Sequence, residues 1–538
     1  MYYYTSHLTF VETTGIGTKP VAEDTLENFT FVESRRCKAI KSRISQVNRQ
    51  SRPQPYFIFC VSVYVYFPLS GESVGQYFFR GKTYAGYSGS TPARSADNQL
   101  LSFGLYPYNS PDRNGSFLFD THAFRANQVV LLIGVGLMFS FKTKFVQVRC
   151  FGEGMKKTFG NVNLNGGKQK GGLSSFQALT TAIAAQVGTG NIVGACGAIL
   201  VGGPGAIFWM WIIAFFGMAT IYSEAILAQK TRVVHGDGTV SGGPVYYIRT
   251  AFKGAFGKFL AGFFAVAIIL ALGFMGTMVQ ANSISEVCNT AFGIPEWVMG
   301  IVLCVVAFVI FIGGVQRIGA VTEKIVPLMA VLYIFGGLIV LCIRAKYIPE
   351  TFGLIFKYAF NPAAIIGGSM GYALKTAISQ GVKRGLFSNE AGMGSTPHAH
   401  ALANVKDPHE QGVVAMIGVF IDTFVVLTMT ALVVISTLFT EGGPLYNQVL
   451  NAETLQATGI SKTNAAQMAF GTAFGNANIG NMFIAVCLFF FAFSTILGWN
   501  LFGRINVNYL LFFNRNRVYL PRFGAFKRPC LGTYRYVQ

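Results

Sequence analysis

Long apolar runs dominate the chain from residue 127 onward and restrict what it can fold into. A helix needs about 20 predominantly apolar residues to cross the hydrocarbon core of a bilayer. Only helices and closed barrels satisfy their backbone hydrogen bonds there. Nine runs have the composition of spanning helices, so the sequence predicts an all-α polytopic membrane protein. The predicted spans are residues 127–141, 175–200, 204–228, 258–283, 297–315, 322–343, 362–382, 411–437 and 478–503.

The charge of the chain supports this class and argues against a nucleic-acid partner. Charged residues make up 12% of the sequence, whereas soluble domains carry about 25%. The net charge of +20 is typical of nucleic-acid-binding proteins. The basic residues, however, cluster in short loops between the apolar runs, as the positive-inside rule requires. We therefore expect a lipid bilayer as partner and no nucleic acid.

The basic loops also predict the orientation. Most lysine and arginine lies in the loops after spans one, three, five, seven and nine, which places those loops in the cytoplasm. We expect a multi-pass protein of the cell membrane with its first terminus outside and its C-terminus in the cytoplasm. Arg344, Lys346 and Lys357 lie on the predicted outer side, against the rule.

The cysteines and histidines do not suggest a metal site. Nine cysteines show no CxxC spacing, so we interpret them as small buried apolar residues and predict neither zinc nor a disulfide framework. His398 and His400 lack a third ligand at a matching spacing. The segment RGLFSNEAGMGSTPHAHA (384–401) is therefore interpreted as an ordered cytoplasmic loop. No nucleophile–base pair occurs in the spans, so we expect neither an enzyme nor a cofactor.

The two ends of the chain differ from the region between them. Residues 1–126 lack helical or strand periodicity, and we expect a disordered or non-native extension there. Residues 127–510 form the expected membrane domain of about nine spans. Residues 511–538 are basic and are expected to be a non-native tail.

The second span contains QVGTGNIVG (186–194), where glycines interrupt an apolar run. Glycine in a helix interior costs about 1 kcal/mol relative to alanine. Close helix packing explains small residues, but it does not explain Gln186, Thr189 and Asn191 crowded at mid-membrane depth, where polar groups are expensive. An interrupted helix explains both, because unwound carbonyls bind a cation and free N–H groups bind an anion. The segment GTGNIVG (188–194) is similar to the dinucleotide-binding fingerprint GxGxxG. That interpretation is excluded, because the segment has one residue too many before the last glycine and no βαβ unit surrounds it.

Several longer motifs resemble one family. The segment GGPGAIFWMWIIAFFG (202–217) matches the signature of the sodium:alanine/glycine symporters without a departure. The motifs that agree in type and order are GGPVYYI (242–248), QGVKRGLFSNEAGMGS (380–395), GVFIDT (418–423) and AFSTILGW (492–499). The resemblance runs from about residue 127 to about residue 510. It implies a transporter domain with a leucine-transporter-like inverted-repeat core and one extra N-terminal span.

This fold implies a role for each of three spans. Span two would be the first core helix, broken at 187–191, span seven the sixth and second broken helix, and span nine the eighth. The family has two further spans, which the chain is expected to lack. An inactive truncated remnant is therefore one alternative interpretation.

The resemblance also implies a sodium site between spans two and nine. In this fold the eighth core helix supplies hydroxyls, here Ser494 and Thr495, and the broken span supplies the carbonyls of Ala184 and Val187. Hydroxyl and carbonyl oxygens are the ligands of hard cations. For a lone serine or threonine, back-bonding to its own helix is the usual interpretation.

A small zwitterion needs N–H groups for its carboxylate and oxygens for its ammonium group. The N–H groups at the break and the side-chain amides beside it are the candidates. Trp499 lies one turn after Thr495 and would cap the pocket, although an interfacial tryptophan is its alternative interpretation. The predicted substrate-binding residues are Gln186, Gly188, Thr189, Gly190, Asn191, Thr495 and Trp499.

Four further polar residues are candidates for coupling or gating. Asp422 is a carboxylate deep inside an apolar span, where an ionisable side chain marks function by default, and pairing with a neighbouring helix is its structural alternative. Glu390, Gln280 and Asn282 complete the set. The resemblance implies sodium-coupled symport of alanine or glycine into the cell, with sodium as the co-transported ion. Another substrate or proton coupling on the same scaffold stays open.

Overall fold

The computed structural model describes residues 121–160, 172–235, 239–367 and 369–513. Most of the expected extension 1–126 and of the expected tail 511–538 lies outside the described residues.

Within the described ranges the chain is almost entirely helical. The α-helices are α1 Thr121–Lys142, α2 Val146–Arg149, α3 Phe151–Phe159, α4 Ser175–Gln186, α5 Ala195–Gly202, α6 Ala206–Thr231, α7 Pro244–Ala251, α8 Gly254–Ile268, α9 Thr277–Phe292, α10 Glu296–Ile312, α11 Gly314–Ile343, α12 Ile348–Phe360, α13 Ala363–Ile366, α14 Met370–Asn389, α15 Pro397–Ala401, α16 Pro408–Phe420, α17 Thr428–Leu438, α18 Ala452–Thr458, α19 Ala465–Phe474 and α20 Ala477–Phe513. The other elements are the π-helices Gly190–Gly194, Ile269–Gly276 and Ile421–Leu427, the 3-10 helix Ala345–Tyr347, and the antiparallel strands β1 Val233–Val234 and β2 Val240–Ser241.

Five helical segments of the described ranges are long and apolar enough to cross a membrane, at predicted spans three, four, six, eight and nine. They are Ala206–Thr231, Gly254–Phe292, Gly314–Ile343, Pro408–Leu438 and Ala477–Leu511. A bent helix pair at predicted span two is a sixth candidate. Predicted spans one and five hold shorter apolar helices, and span seven holds α14, which contains three basic residues. The all-α polytopic class is confirmed, and the leucine-transporter-like repeat stays a prediction.

Large apolar side chains lie exposed along several of these helices. In α10, Trp297, Val305 and Phe308 expose 57–70% of their surface. In α11, Val331 and Phe335 are exposed to a similar degree. Soluble proteins rarely expose contiguous apolar surface of this extent, so these faces fit the hydrocarbon of a bilayer.

Helix α4 ends at Gln186, in the middle of predicted span two. A capping box starts the helix, because Ser174 accepts the N–H of Gln177 and the Gln177 side chain accepts the N–H of Ser174. Val187 is extended, with φ −81° and ψ 91°, and the chain becomes helical again at Gly190–Gly194. The two halves are bent by 46°. The predicted interruption of span two is confirmed, but it covers residues 187–189 rather than 187–191, because Gly190 and Asn191 already belong to the π-helix.

The helix at predicted span seven, α14, is bounded by an irregular backbone conformation at each end. Gly367 has a φ of 77°, and Ser369 caps the start of α14 by accepting the N–H of Tyr372. At the other end Glu390 has a left-handed φ of 54°. The helix therefore runs over Met370–Asn389 rather than over the predicted 362–382.

Arg344, which opposes the positive-inside rule, caps a helix. Its guanidinium donates to Ser436 O at 2.9 Å, to Thr440 Oγ1 at 2.9 Å and to Glu441 O at 3.3 Å. The cation also lies 4.0 Å from the ring centre of Tyr347. A cation at the C-terminal end of a helix is stabilised by the terminal carbonyls and by the helix dipole. This contact gives a local reason for a basic residue on that side.

Candidate functional site

Four oxygen atoms converge where α4 ends beside α20. Thr495 Oγ1 lies 2.9 Å from the carbonyl oxygen of Ala184 and 3.5 Å from that of Val187. Ser494 Oγ lies 3.4 Å from the Ala184 oxygen, and all four residues are buried. The structure thus brings together the residues predicted to hold sodium. Carbonyl and hydroxyl oxygens in this arrangement are suited to a hard cation.

The broken helix makes the Ala184 carbonyl available. In an unbroken helix this oxygen would accept the N–H of Gly188, four residues later. Here Gly188 donates to Asn191 Oδ1 at 3.0 Å instead. A Cβ atom on Gly188 would lie 2.4 Å from Thr495 Oγ1, so any larger residue would intrude on the oxygen cluster. The arrangement of these oxygens therefore depends on both the break and the glycine.

Two N–H groups at the break are held by side-chain amide oxygens. Gly188 donates to Asn191 Oδ1, and Thr189 donates to Gln280 Oε1 at 3.2 Å. Both amide side chains are buried. The ionised carboxylate of a ligand is a stronger hydrogen-bond acceptor than an amide oxygen. Such a carboxylate is therefore able to replace either amide oxygen at these N–H groups. Gln280 thus contacts the break directly, which its position on α9 does not reveal.

The remaining predicted residues are distributed differently. Gln186 Nε2 donates to Asn389 O at 2.8 Å, which ties the break to the end of α14. Gly190 packs on Ser388, whose Cα lies 3.1 Å from the position of a Cβ atom on Gly190. Asn282 is exposed and lies outside this cluster.

Asp422 lies at the centre of a buried polar network beside the break. Its carboxylate accepts hydrogen bonds from Asn191 Nδ2 at 2.7 Å, from Thr423 Oγ1 at 2.9 Å and from Ser388 Oγ at 3.1 Å. The Asn191 side chain therefore links the two groups: its Nδ2 donates to Asp422, and its Oδ1 accepts the N–H of Gly188. Buried carboxylates are tolerated when donors surround them. Sequence reasoning identified Asp422 but not its partners, because no spacing relates Ser388 to it.

Trp499 contacts the loop after α14. Its indole N–H donates to Glu390 Oε1 at 2.6 Å, and a Cβ atom on Gly276 would lie 2.4 Å from its ring. Ser395 donates to the other Glu390 oxygen at 2.6 Å. Burial raises the pKa of Glu390 to about 8, because the charged form loses its hydration. Trp499 therefore links α20 to this loop.

The histidines of the same loop are packed and neutral. His398 shares hydrogen bonds with Ser395 O at 2.7 Å and with Asn506 Nδ2 at 2.8 Å, and it stacks on Phe502. Burial lowers the pKa of His398 to about 4 and that of His400 to about 3. These contacts show an ordered segment, but the predicted loop 384–401 is too long: residues 384–389 are the end of α14 and Pro397–Ala401 is α15, so only residues 390–396 form a loop.

Comparison with known proteins places the chain among transporters. A model of the sodium:alanine symporter family matches residues 118–533. The sodium/alanine symporter AgcS of Methanococcus maripaludis is 39% identical over 397 residues, which cover 73% of this chain and 83% of the relative. A putative sodium/proton-dependent alanine carrier protein of Bacillus subtilis is 40% identical over 387 residues, 71% of this chain and 75% of the relative. A probable sodium/glutamine symporter of the same species is 36% identical over 414 residues, 76% and 80% of the two chains. The oxygen cluster lies within the matched region, and the chain belongs to the sodium:alanine symporter family.

Proposed function

We propose that the chain couples the entry of sodium to the uptake of small neutral amino acids, alanine or glycine, across the cell membrane. The family and its relatives indicate a sodium-coupled amino acid symporter. The observation that carries the proposal is the cluster of Ala184, Val187, Ser494 and Thr495 oxygens at the broken helix.

The hydroxyl geometry supports a cation in this cluster. Thr495 Oγ1 lies 3.0 Å from Phe491 O in its own helix and 2.9 Å from Ala184 O. A hydroxyl has one proton and two lone pairs. When the proton is donated to Phe491, the lone pairs of Thr495 face the lone pairs of Ala184. A sodium ion coordinated by both oxygens would take the place of the hydrogen bond that Thr495 Oγ1 otherwise donates to Ala184 O.

The substrate would bind on the other side of the same break. Its carboxylate would take the N–H groups of Gly188 and Thr189 from the amide oxygens of Asn191 and Gln280. The freed amide oxygens, together with Gln186, would then face the ammonium group. Gly190 lets the backbone beside the break approach Ser388 closely, and Thr495 and Trp499 would bound the pocket toward α20.

Sodium and substrate would favour one another because both hold the same unwound segment. A cation on the carbonyls of Ala184 and Val187 fixes the backbone whose next N–H groups bind the carboxylate. Two ligands that stabilise one conformation bind cooperatively, and the coupling is reciprocal. With the basic loops in the cytoplasm, the gradient drives uptake, since one charge across 100 mV is worth about 2.3 kcal/mol.

Thr495→Val tests the sodium site. Valine keeps the shape of threonine and removes the ligand oxygen, so the sodium concentration for half-maximal alanine uptake should rise by at least tenfold, about 1.4 kcal/mol. The measurement is initial uptake of labelled alanine into vesicles at varied sodium, with choline as the replacement cation.

Thr437→Val is the matched control for this test. Thr437 is buried, and its hydroxyl bonds only to carbonyls of its own helix among the described residues, at 2.6 Å from Val433 O. The sodium dependence of alanine uptake by this variant should equal that of the parent chain. Uptake that persists when choline replaces sodium would contradict sodium coupling itself.

Glu390→Gln tests the proposed gating role of the loop after α14. At pH 6.5, well below a pKa of about 8, the Glu390 carboxyl is mostly neutral. Its O–H group then donates to Ser395 Oγ, as the amide group of glutamine can, while the other oxygen keeps the Trp499 N–H, so uptake by the variant at pH 6.5 should match that of the parent. Above about pH 8 the parent gains a buried charge beside Trp499 and its uptake should change by about tenfold by pH 9.5, about 1.4 kcal/mol. The variant should not follow. Identical pH profiles of the two proteins would contradict gating by Glu390.

Proton coupling is the second candidate, and Asp422 is the observation that favours it. Its carboxylate is fully buried and is linked to the break by Asn191. Proton transfer through Asp422 predicts uptake that acidifies the vesicle interior, and a pH-sensitive dye inside the vesicles measures this.

The preferred substrate is tested in the same vesicles. Unlabelled glycine and glutamine compete with labelled alanine for uptake, and the extent of competition ranks the substrates.

A further inference from the structure

We propose that Cys150, Glu153 and His409 form a binding site for a divalent transition metal, with Zn²⁺ as the best fit. One ligand atom from each residue lies within 4.8 Å of the other two. His409 Nε2 lies 3.4 Å from Glu153 Oε2. The site is separate from the sodium and substrate cluster, and its existence does not depend on the proposed transport.

Two rigid elements position the ligands. Cys150 immediately precedes α3, and Glu153 lies three residues later in the first turn of that helix. Residues three apart in a helical turn lie on the same side. His409 is the second residue of α16, whose N-terminus is capped by Asp407, since the Asp407 carboxylate accepts the His409 N–H at 2.9 Å. Helices α3 and α16 pack together, and an ion pair at 3.0 Å between Lys157 and Glu410 joins them further along.

The histidine provides the independent indication of a ligand. His409 is 5% exposed, and its Nδ1 shares a hydrogen bond with Tyr222 Oη at 2.8 Å. Its other nitrogen, Nε2, is buried and makes no hydrogen bond within the described ranges. When Nδ1–H is donated to Tyr222, Nε2 carries a lone pair directed at Cys150 and Glu153. Metal-binding histidines are typically oriented by such a bond to the opposite ring nitrogen.

The donor set selects the kind of metal. A thiolate, an imidazole and a carboxylate match zinc, with bonds of about 2.3 Å to sulfur, 2.0–2.1 Å to nitrogen and 2.0–2.2 Å to oxygen. Mg²⁺ and Ca²⁺ prefer oxygen ligands only. Glu153 is partly exposed, so a water molecule can reach the fourth tetrahedral position. The site lies on the side predicted to be cytoplasmic, where thiols stay reduced.

Cobalt is the most informative probe of this site. Co²⁺ replaces Zn²⁺ in thiolate sites and then shows a thiolate-to-cobalt charge-transfer band. The full chain, purified without a polyhistidine tag under reducing conditions, should bind one equivalent of Co²⁺ with this band, and Zn²⁺ should displace it. Cys150→Ser should abolish the band, and His409→Asn and Glu153→Gln should each weaken binding at least tenfold.

Matched variants distinguish this site from other ligands in the chain. Cys196→Ser removes another buried cysteine, and His235→Asn removes another histidine; neither should change the titration. Glu153→Gln alters a partly exposed side chain and keeps the proposal testable if the buried variants do not fold. A band that persists in Cys150→Ser, or affinity that is equal in parent and Glu153→Gln, would overturn the proposal. Parent uptake of alanine with sodium, measured separately, decides the proposed function.

Discussion

Gly188→Ala is expected to abolish sodium-driven uptake of alanine while the chain remains folded. The added methyl group would lie 2.4 Å from Thr495 Oγ1 and 3.3 Å from Gln280 Oε1. It would therefore displace a predicted sodium ligand and a predicted substrate contact together. A misplacement of about 1 Å in a positioned site costs roughly 100-fold, so we expect uptake to fall to about 1% of the parent rate or less.

Gly194→Ala provides the control for this substitution. Gly194 is the last residue of the π-helix Gly190–Gly194 that follows the break, and the nearest atom to its added methyl group is Thr189 O at 3.8 Å, an ordinary contact. Its uptake should stay within about twofold of the parent, because the methyl group does not reach the site. The measurement is initial uptake at saturating sodium, normalised to protein in the membrane. Equal uptake by Gly188→Ala and Gly194→Ala would contradict a site at the break.

The sequence contained enough information to predict the broken helix. Glycine and polar residues at 186–191 are unfavourable within a membrane helix, so the interruption follows from local chemistry. The approach of Ser494 and Thr495 to Ala184 is a tertiary contact. Only the family resemblance predicts it, because the resemblance implies the packing of span nine on span two.

Contacts between distant segments were not predictable in the same way. Gln280 is polar on an apolar helix, but no periodicity reveals that it accepts the N–H of Thr189. The position of Trp499 one turn after Thr495 predicts a pocket cap, but it does not reveal that the indole donates to Glu390, more than 100 residues away in the chain. The long-range partner of a buried polar group depends on helix packing, which single-chain periodicity does not encode.

The ligand set on α3 and α16 shows the same limit. Spacing rules for metal sites relate cysteines that lie close together in the sequence, and Cys150 has no such neighbour. His409 lies more than 250 residues after Glu153, so only the packing of two helices brings their ligand atoms together. The spacing rule therefore excludes local metal motifs and is silent about sites assembled by the fold.

Asp422→Asn is expected to reduce uptake at least tenfold without changing the size of the side chain. Asn191, Ser388 and Thr423 all donate to the carboxylate. The amide group of asparagine replaces one acceptor oxygen by a donor, so at least one of these buried donors loses its partner. Such a loss costs about 1–3 kcal/mol.

The damage should be concentrated at the substrate, because Asn191 also accepts the N–H of Gly188. The alanine concentration for half-maximal uptake should therefore rise more than the sodium concentration does. Asp407→Asn removes a carboxylate that caps a helix, a role asparagine fills equally well, and it should leave both values unchanged. If Asp422→Asn takes up alanine within about twofold of the parent, and with the same pH dependence, then neither the network nor a coupled proton operates through Asp422.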